Sequence, residues 1–206
     1  MKSDSEIVSY QQHDVEVLNK EVLYKGFFSC SKYTLRHKLF SGQWSSELQR
    51  EFFERGHAAA LLPYDAAKDC VILLEQFRFG AMHTDQSPWL LELVAGIIEE
   101  NESAEEVAKR EATEEAGLTV SKCHFINKFL VSPGGTTEQI SLFAADIDSS
   151  GIGGVYGLAD EGEDIRVHVV PREVAYQWVV DGRINNATTI IALQWLQLNW
   201  NNALYF

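Results

Sequence analysis

The stretch Gly96-Ile97-Ile98-Glu99-Glu100-Asn101-Glu102, running on through Ser103 to Arg110-Glu111-Ala112-Thr113-Glu114-Glu115-Ala116-Gly117-Leu118, decides how the rest of the chain is read. Before it, Trp89-Leu90-Leu91-Glu92-Leu93-Val94-Ala95 is short and mostly apolar, as a buried strand is. Gly96 permits a tight turn into an acidic loop. Ser103 with Glu106 three residues later forms a capping box that starts a helix near Ser103. Gly117 suits the left-handed position just past its end.

Placed at 100° intervals, Ala104, Val107, Ala108 and Ala112 define an apolar face, and Glu111, Glu114 and Glu115 fall on that same face. Glu105, Glu106, Lys109, Arg110 and Thr113 take the other side. A solvated helix puts its acids opposite its alanines. Like charges one turn apart repel, and burying them unpaired costs about several kcal/mol each. A divalent cation removes the difficulty, because hard cations are held by carboxylate oxygens and bridge phosphates. A solvated acidic face that spirals round the helix is the bland alternative. The glycines and Arg110 favour the metal.

The arrangement of Gly96, five residues, Glu102, seven residues, then Arg110-Glu111-Ala112-x-Glu114-Glu115-x-Gly117-Leu118 resembles the signature box of the Nudix hydrolases at every defined position. Ala112 is small where a larger apolar residue is also common. Nine specified positions at fixed spacing make the resemblance highly specific. It implies an α/β fold, an α/β/α sandwich with a mixed sheet, and metal-assisted hydrolysis of a nucleoside diphosphate linked to another group. By the same resemblance the metal ligands are Glu111 and Glu115 with the Ala95 carbonyl, and Glu114 close by. Arg110 orients the glutamates and Glu102 supports the loop.

The 206 residues suit one substantial domain, or a domain with a small appendage. At 46% apolar and 23% charged the composition is that of an ordinary globular protein. A net charge of -13 argues against a nucleic-acid partner. It leaves a phosphorylated small molecule open, because bound metal inverts the local field. No apolar run approaches a membrane span, and Met1 to Glu6 lacks the apolar core of a secretory signal. Cys30, Cys70 and Cys123 are too few and too scattered for a disulfide framework or zinc knuckle. A cytoplasmic protein with no membrane partner is expected.

From Val15 to Phe40 apolar and polar residues alternate, which reads as two or three antiparallel strands with a turn at Ser41-Gly42-Gln43. So few strands must pack on the main domain or on another chain. Residues 1–50 are therefore taken as an N-terminal β layer and 51–206 as the main domain, with Ser45 to Gly56, which holds Arg50 and Arg55, a charged connector. Apolar strands are expected at His57 to Leu62, Val71 to Arg78, Cys123 to Val131, Ile140 to Ile147 and Ile165 to Val170. Helices are expected from Pro171 to Val180 and from Ala187 to Trp200. Arg78 at a strand end is suited to clamp a phosphate, although a lone arginine is more often a surface ion pair. Ser132-Pro133-Gly134-Gly135-Thr136-Thr137-Glu138 is a rigid turn with two permissive glycines, fit for close approach to a ligand. Ser149 to Gly157 precedes no helix, so it reads as a mobile loop rather than a dinucleotide fingerprint. The four acids that follow, Asp160, Glu161, Glu163 and Asp164, are either solvated charge or the source of a general base, and physics alone leaves both open.

Three features outside the box are similar to those of one branch of the family, the bacterial ADP-ribose pyrophosphatases. Pro133 lies sixteen residues beyond Gly117. The segments 75–78, 89–96 and 157–167 match, and so does the N-terminal strand layer. This implies a homodimer with that layer exchanged and active sites shared between subunits. Phe27 is then expected to stack the adenine, Arg50 of the partner subunit to cover its other side, and Arg78 to contact phosphate. Arg55, Pro133, Gly134 and Glu138 complete the substrate-binding set. Glu161 is the expected base, with Glu163 and Glu115 as further catalytic candidates. Gly162 departs from the bulkier residue expected there and weakens the choice between Glu161 and Glu163. The implied cofactor is Mg²⁺, two or three ions per site, with Mn²⁺ able to substitute. The implied reaction is cleavage of ADP-ribose to AMP and ribose 5-phosphate. Alternatives are a GDP-mannose or other nucleotide-sugar pyrophosphatase, distinguished by the base accepted, and a non-catalytic ADP-ribose sensor, which typically loses the box carboxylates kept here.

Overall fold

The computed structural model describes residues 10–84, 87–158 and 162–201. The chain divides into two compact units, Met1–Arg55 with Ser132–Glu138, and Gly56–Val131 with Gln139–Phe206.

In the first unit β1 (Val15–Lys25), β2 (Ser29–His37) and β3 (Leu48–Glu54) form an antiparallel sheet in that order. The charged connector expected from Ser45 to Gly56 is thus largely a strand. Its charges do not oppose pairing, because Arg50 and Glu51 stand opposite Tyr33 and Lys32 with their side chains exposed, while Leu48 and Phe52 are half-buried. β1 is an edge strand, and along it Val15, Val17, Val22 and Tyr24 are all exposed. Pro133 and Gly134 belong to the short segment of this unit that meets β3, where Phe53 donates its N–H to the Gly135 carbonyl at 2.8 Å.

The second unit contains β4 (Ala58–Asp65), β5 (Cys70–Phe77), β6 (Trp89–Glu92), β7 (Val94–Ile97), α1 (Ala104–Ala116), β8 (His124–Leu130), β9 (Gln139–Asp146), β10 (Gly154–Tyr156), β11 (Ile165–Pro171), α2 (Arg172–Val180) and α3 (Ala187–Asn199). The main path of its mixed sheet is β10-β11-β5-β4-β9-β8, with β4 and β9 parallel and the other pairs antiparallel. Strand alternation sorts the core into two layers. Ala59, Leu61, Ile72, Leu74, Ile165 and Val167 pack against Val107, Ala108 and Ala112 of α1. Ala60, Leu62, Val71, Leu73, Leu142 and Val170 pack against Ala175 of α2 and Leu193 and Leu196 of α3. The result is helix, sheet, helix: the expected sandwich.

Two differences from the sequence reading shape the site. The run Trp89 to Ala95 is not one strand. β4 and β5 pair only at Tyr64–Val71 and Asp65–Cys70 and then diverge. β6 adds to β5 and β7 adds to β4, so the run breaks at the buried Leu93 as it crosses the gap. The glycine-dense loop also holds a short strand, β10, because Val155 and Tyr156 find a free edge on β11.

Candidate active site

Capping fixes where α1 begins and ends, and so which residues it presents. Ser103 accepts the Glu106 N–H at 3.3 Å, and the Glu106 carboxylate accepts the Ser103 N–H at 2.9 Å. Gly117 closes the helix at φ 64°. Between these ends α1 carries Arg110, Glu111, Glu114 and Glu115, and it packs against β7.

The closest approach is at Gly96. A Cβ built there would fall 1.8 Å from Glu111 Oε1, so the Glu111 carboxyl lies directly on the Gly96 backbone. One turn on, Glu115 is 2% exposed and accepts the Ala95 N–H at 2.9 Å. Arg110 Nη1 donates to Glu111 at 2.8 Å and to Glu114 at 3.0 Å, while its Nε reaches Glu102 at 3.2 Å. Glu102 also accepts the Glu99 N–H at 3.1 Å, which ties the acidic loop to the helix.

The electrostatics of this cluster are those of a site that favours a cation. Burial pushes Glu115 up to about 8, and the neighbouring Glu111 and Glu163 push the same way against the Ala95 N–H and Arg78. Burial also raises Glu111, outweighing the pull of Arg110. Two carboxylates that resist ionisation beside a glycine cradle match the donor chemistry of a hard divalent ion, whose positive charge would favour their ionised forms. Among the described residues, no three His, Cys, Asp or Glu side chains form a ready cation cage. Glu163 is half-buried, and its carboxylate accepts the Leu158 N–H at 3.1 Å. Its own N–H returns to the Leu158 carbonyl at 3.2 Å. Gly157 makes this closure possible, since a Cβ there would sit 2.7 Å from the Glu163 Cβ. Glu161 lies outside the described residues.

The remaining candidates distribute by unit. Arg78 follows the end of β5 and donates to Glu92 at 2.8 Å, in the same unit as Ala95, Glu111, Glu114, Glu115 and Glu163. The first unit holds Phe27, Arg50, Arg55, Pro133, Gly134 and Glu138. Phe27 is 88% exposed and packs edge-on to Phe28. Arg55 pairs with the buried Glu138 at 3.3 Å and lies over the Phe28 ring. Arg50 is exposed on β3, and Pro133 and Gly134 are exposed in their turn.

Sequence reasoning passed over Gln76. It is 6% exposed and follows Ile72 and Leu74 on the α1 side of β5, and its Nε2 has no partner among the described residues. The signal was there: a polar residue at an inward position of an otherwise apolar strand. It also passed over Tyr156, whose ring fills the space beside Gly117.

A NUDIX domain model matches residues 54–188. The chain is 56% identical over 199 residues to the ADP-ribose pyrophosphatase of Escherichia coli strain K12, covering 97% of this chain and 95% of that one. It is 48% identical over 202 residues to the ADP-ribose pyrophosphatase of Haemophilus influenzae, covering 97% and 93%. Identity to a GDP-mannose pyrophosphatase of Yersinia pestis is 36% over 188 residues, covering 90% and 93%. Among solved structures, one titled as the crystal structure of an ADP compounds hydrolase superposes with a TM-score of 0.68 at 22% identity, covering 93% of this chain and 98% of that one.

Proposed function

Since the chain belongs to the Nudix hydrolases, we propose that it cleaves the pyrophosphate of ADP-ribose, giving AMP and ribose 5-phosphate. Near full-length likeness to ADP-ribose pyrophosphatases carries this reading. Retention of Glu111, Glu114 and Glu115 supports a hydrolase over a sensor. The GDP-mannose alternative rests on a weaker likeness.

Glu111, Glu115 and the Ala95 carbonyl would hold Mg²⁺, two or three ions per site, and Mn²⁺ would serve in its place. When bound, the metal lowers the pKa of water and neutralises charge on the leaving phosphate. The chain's own groups do the rest. Arg110 fixes the rotamers of Glu111 and Glu114. Arg78 contacts a phosphate while drawing Glu115 toward its ionised form. Glu161 or Glu163 takes the proton of the attacking water as the new P–O bond forms and the bridging P–O bond breaks.

For the base, Phe27 stacks the adenine, with Arg50 of the partner subunit across from it. Arg55, Pro133, Gly134 and Glu138 shape the adjoining surface. Residues 1–50 act as the dimerisation layer; the long exposed edge of β1 supports pairing with a second copy. Among the described residues no helix is long and apolar enough to cross a membrane. The free state of Cys30, Cys70 and Cys123 fits a reducing cytoplasm. The acidic chain makes nucleic acid an unsuitable partner.

The test is to incubate the protein with ADP-ribose and Mg²⁺, with GDP-mannose in parallel and a chelator control. AMP from ADP-ribose, abolished by chelator and far faster than GMP from GDP-mannose, is expected. Faster GMP release would discard the substrate, and tight ADP-ribose binding without cleavage would discard the enzyme. Glu115→Gln should lose orders of magnitude in kcat with the fold intact.

A further inference from the structure

The sheet face opposite α1 is only partly covered. α2 and α3 pack over Val71, Leu73 and Val170. Farther along the same face, alternation brings up Glu75 and His168, and pairing sets Leu91 opposite Glu75 and Trp89 opposite Phe77. A cleft of ≈ 410 Å³ opens there, lined by Glu75, Trp89, Leu91, His168, Trp178 and Arg183. A neighbouring hollow of ≈ 350 Å³ shares Glu75 and Trp89 and adds Asp164 and Arg166. That is the size range of small-ligand sites. It lies across the sheet from Glu111 and Glu115, so the hydrolytic reaction does not use it.

Its chemistry is specific. His168 Nε2 and Glu75 Oε2 are 2.8 Å apart, so the carboxylate on the floor already has a partner and a spare oxygen to accept an N–H. The Arg183 guanidinium lies 4.2 Å over the Trp178 ring. Arg36, Arg55, Arg78, Arg110 and Arg172 each hold a carboxylate of this chain. Arg166 and Arg183 are exposed and make no ion pair among the described residues. Glu75 faces Arg166 across the β5–β11 pair, yet neither Arg166 nor Arg183 is held in an ion pair among the described residues, and two such arginines beside two indoles suit an outside anion that carries a flat ring.

We propose that this cleft is a second ligand site, separate from the hydrolytic centre, and that it takes a nucleoside monophosphate. The base lies against the indoles of Trp89 and Trp178, its N–H edge donates to Glu75, and the phosphate is held by Arg166 and Arg183.

The test is an NMR titration of the full chain in chelator, with adenosine monophosphate as probe and the indole N–H signals assigned by single Trp→Phe variants. The chain has five tryptophans, so Trp44, Trp195 and Trp200 serve as internal controls. The signals of Trp89 and Trp178 should move, and the Arg166→Ala/Arg183→Ala pair should weaken that binding at least roughly tenfold. That double variant should still release AMP from ADP-ribose, at saturating Mg²⁺ and substrate, within about twofold of the parent rate. Adenosine and ribose 5-phosphate should each bind more weakly than the mononucleotide. Unmoved Trp89 and Trp178 signals, equal affinity in the double variant, or equal binding of ribose 5-phosphate would each overturn the assignment. Because binding is read without divalent ions, its failure is separate from any failure of the hydrolytic reading.

Discussion

Gly96→Ala is the sharpest probe of the site, because it adds one methyl group and leaves every carboxylate in place. Gly96 holds no left-handed φ, so alanine is allowed by the backbone and the effect is purely steric. The new Cβ would lie 1.8 Å from Glu111 Oε1, 2.3 Å from its Cδ and 2.5 Å from its Cγ. Non-bonded carbons settle about 3.5–4.0 Å apart, so the whole Glu111 side chain must retreat by roughly 1.5 Å. A shift of about 1 Å in a positioning group costs on the order of 100-fold in rate. The kcat for AMP release should therefore fall by about 100-fold, roughly 2.7 kcal/mol on the barrier. Overpacking adds about 1–3 kcal/mol to the cost of folding, at its lower end here because the clashing group is the end of a flexible side chain.

The assay is AMP formation from ADP-ribose across an Mg²⁺ titration, with a thermal melt on the same samples. Gly80→Ala is the matched control, since a Cβ there meets nothing within 4 Å. The decisive comparison is a double-mutant cycle. If the methyl group acts by displacing Glu111, then adding Gly96→Ala to Glu111→Ala should cost nothing further. Additive losses, or near-parental turnover in Gly96→Ala alone, would refute the argument.

Three further changes test the frame around the site. Gly117→Ala forces alanine to φ +64° and sets a Cβ 2.7 Å from the Tyr156 ring, so Tm should drop by roughly 2–8 °C in a melt. Arg172→Ala removes a buried guanidinium that holds the half-exposed Asp69 at 2.7 and 3.0 Å and Gln197 at 2.6 Å, which should cost about 1.5–3 kcal/mol in urea unfolding with little change in kcat. The same pair sets a pH dependence. Burial raises the Asp69 carboxyl, but Arg172 and Tyr64 outweigh it and hold it below its ordinary 3.8. A depressed carboxylate stabilises fully above its unfolded pKa and loses that contribution as pH falls through the folded one, so the loss of stability below about pH 4 should be shallower in Arg172→Ala. Phe27→Ala should raise KM for ADP-ribose with kcat nearly unchanged, by a stacking loss of about 1–3 kcal/mol, in steady-state kinetics.

The box was legible in the sequence because its information is local. Ser103, Glu106 and Gly117 fix the two ends of α1 by contacts within a few residues, and helical periodicity then places Glu111 and Glu115 on the side that packs. β3 was not legible, because its outward charges are those of a connector until β2 is set beside it. The break at Leu93 was hidden for the same reason: it depends on β4 and β5 parting, which Trp89 to Ala95 does not encode. Local chemistry announces itself, and pairing does not.

That distinction also explains why the two faces of the sheet differ so much in visibility. On the α1 face a single helix carries most of the chemistry, at spacings of one and four residues. On the other face Glu75, Trp89, His168, Trp178 and Arg183 come from three strands, a helix and a loop, and no two of them share a short motif. Register alone puts Glu75 on the same face as His168, 93 residues away, at 2.8 Å. The pairing is still a consequence of sequence, since Val71 and Leu73 on β5 and Val170 on β11 must all point toward α2 and α3. Two residues farther along each strand, the same alternation delivers a carboxylate and an imidazole to a cleft that the helices only partly cover. Such a site is built by what the core requires of its neighbours, and only the folded chain displays it.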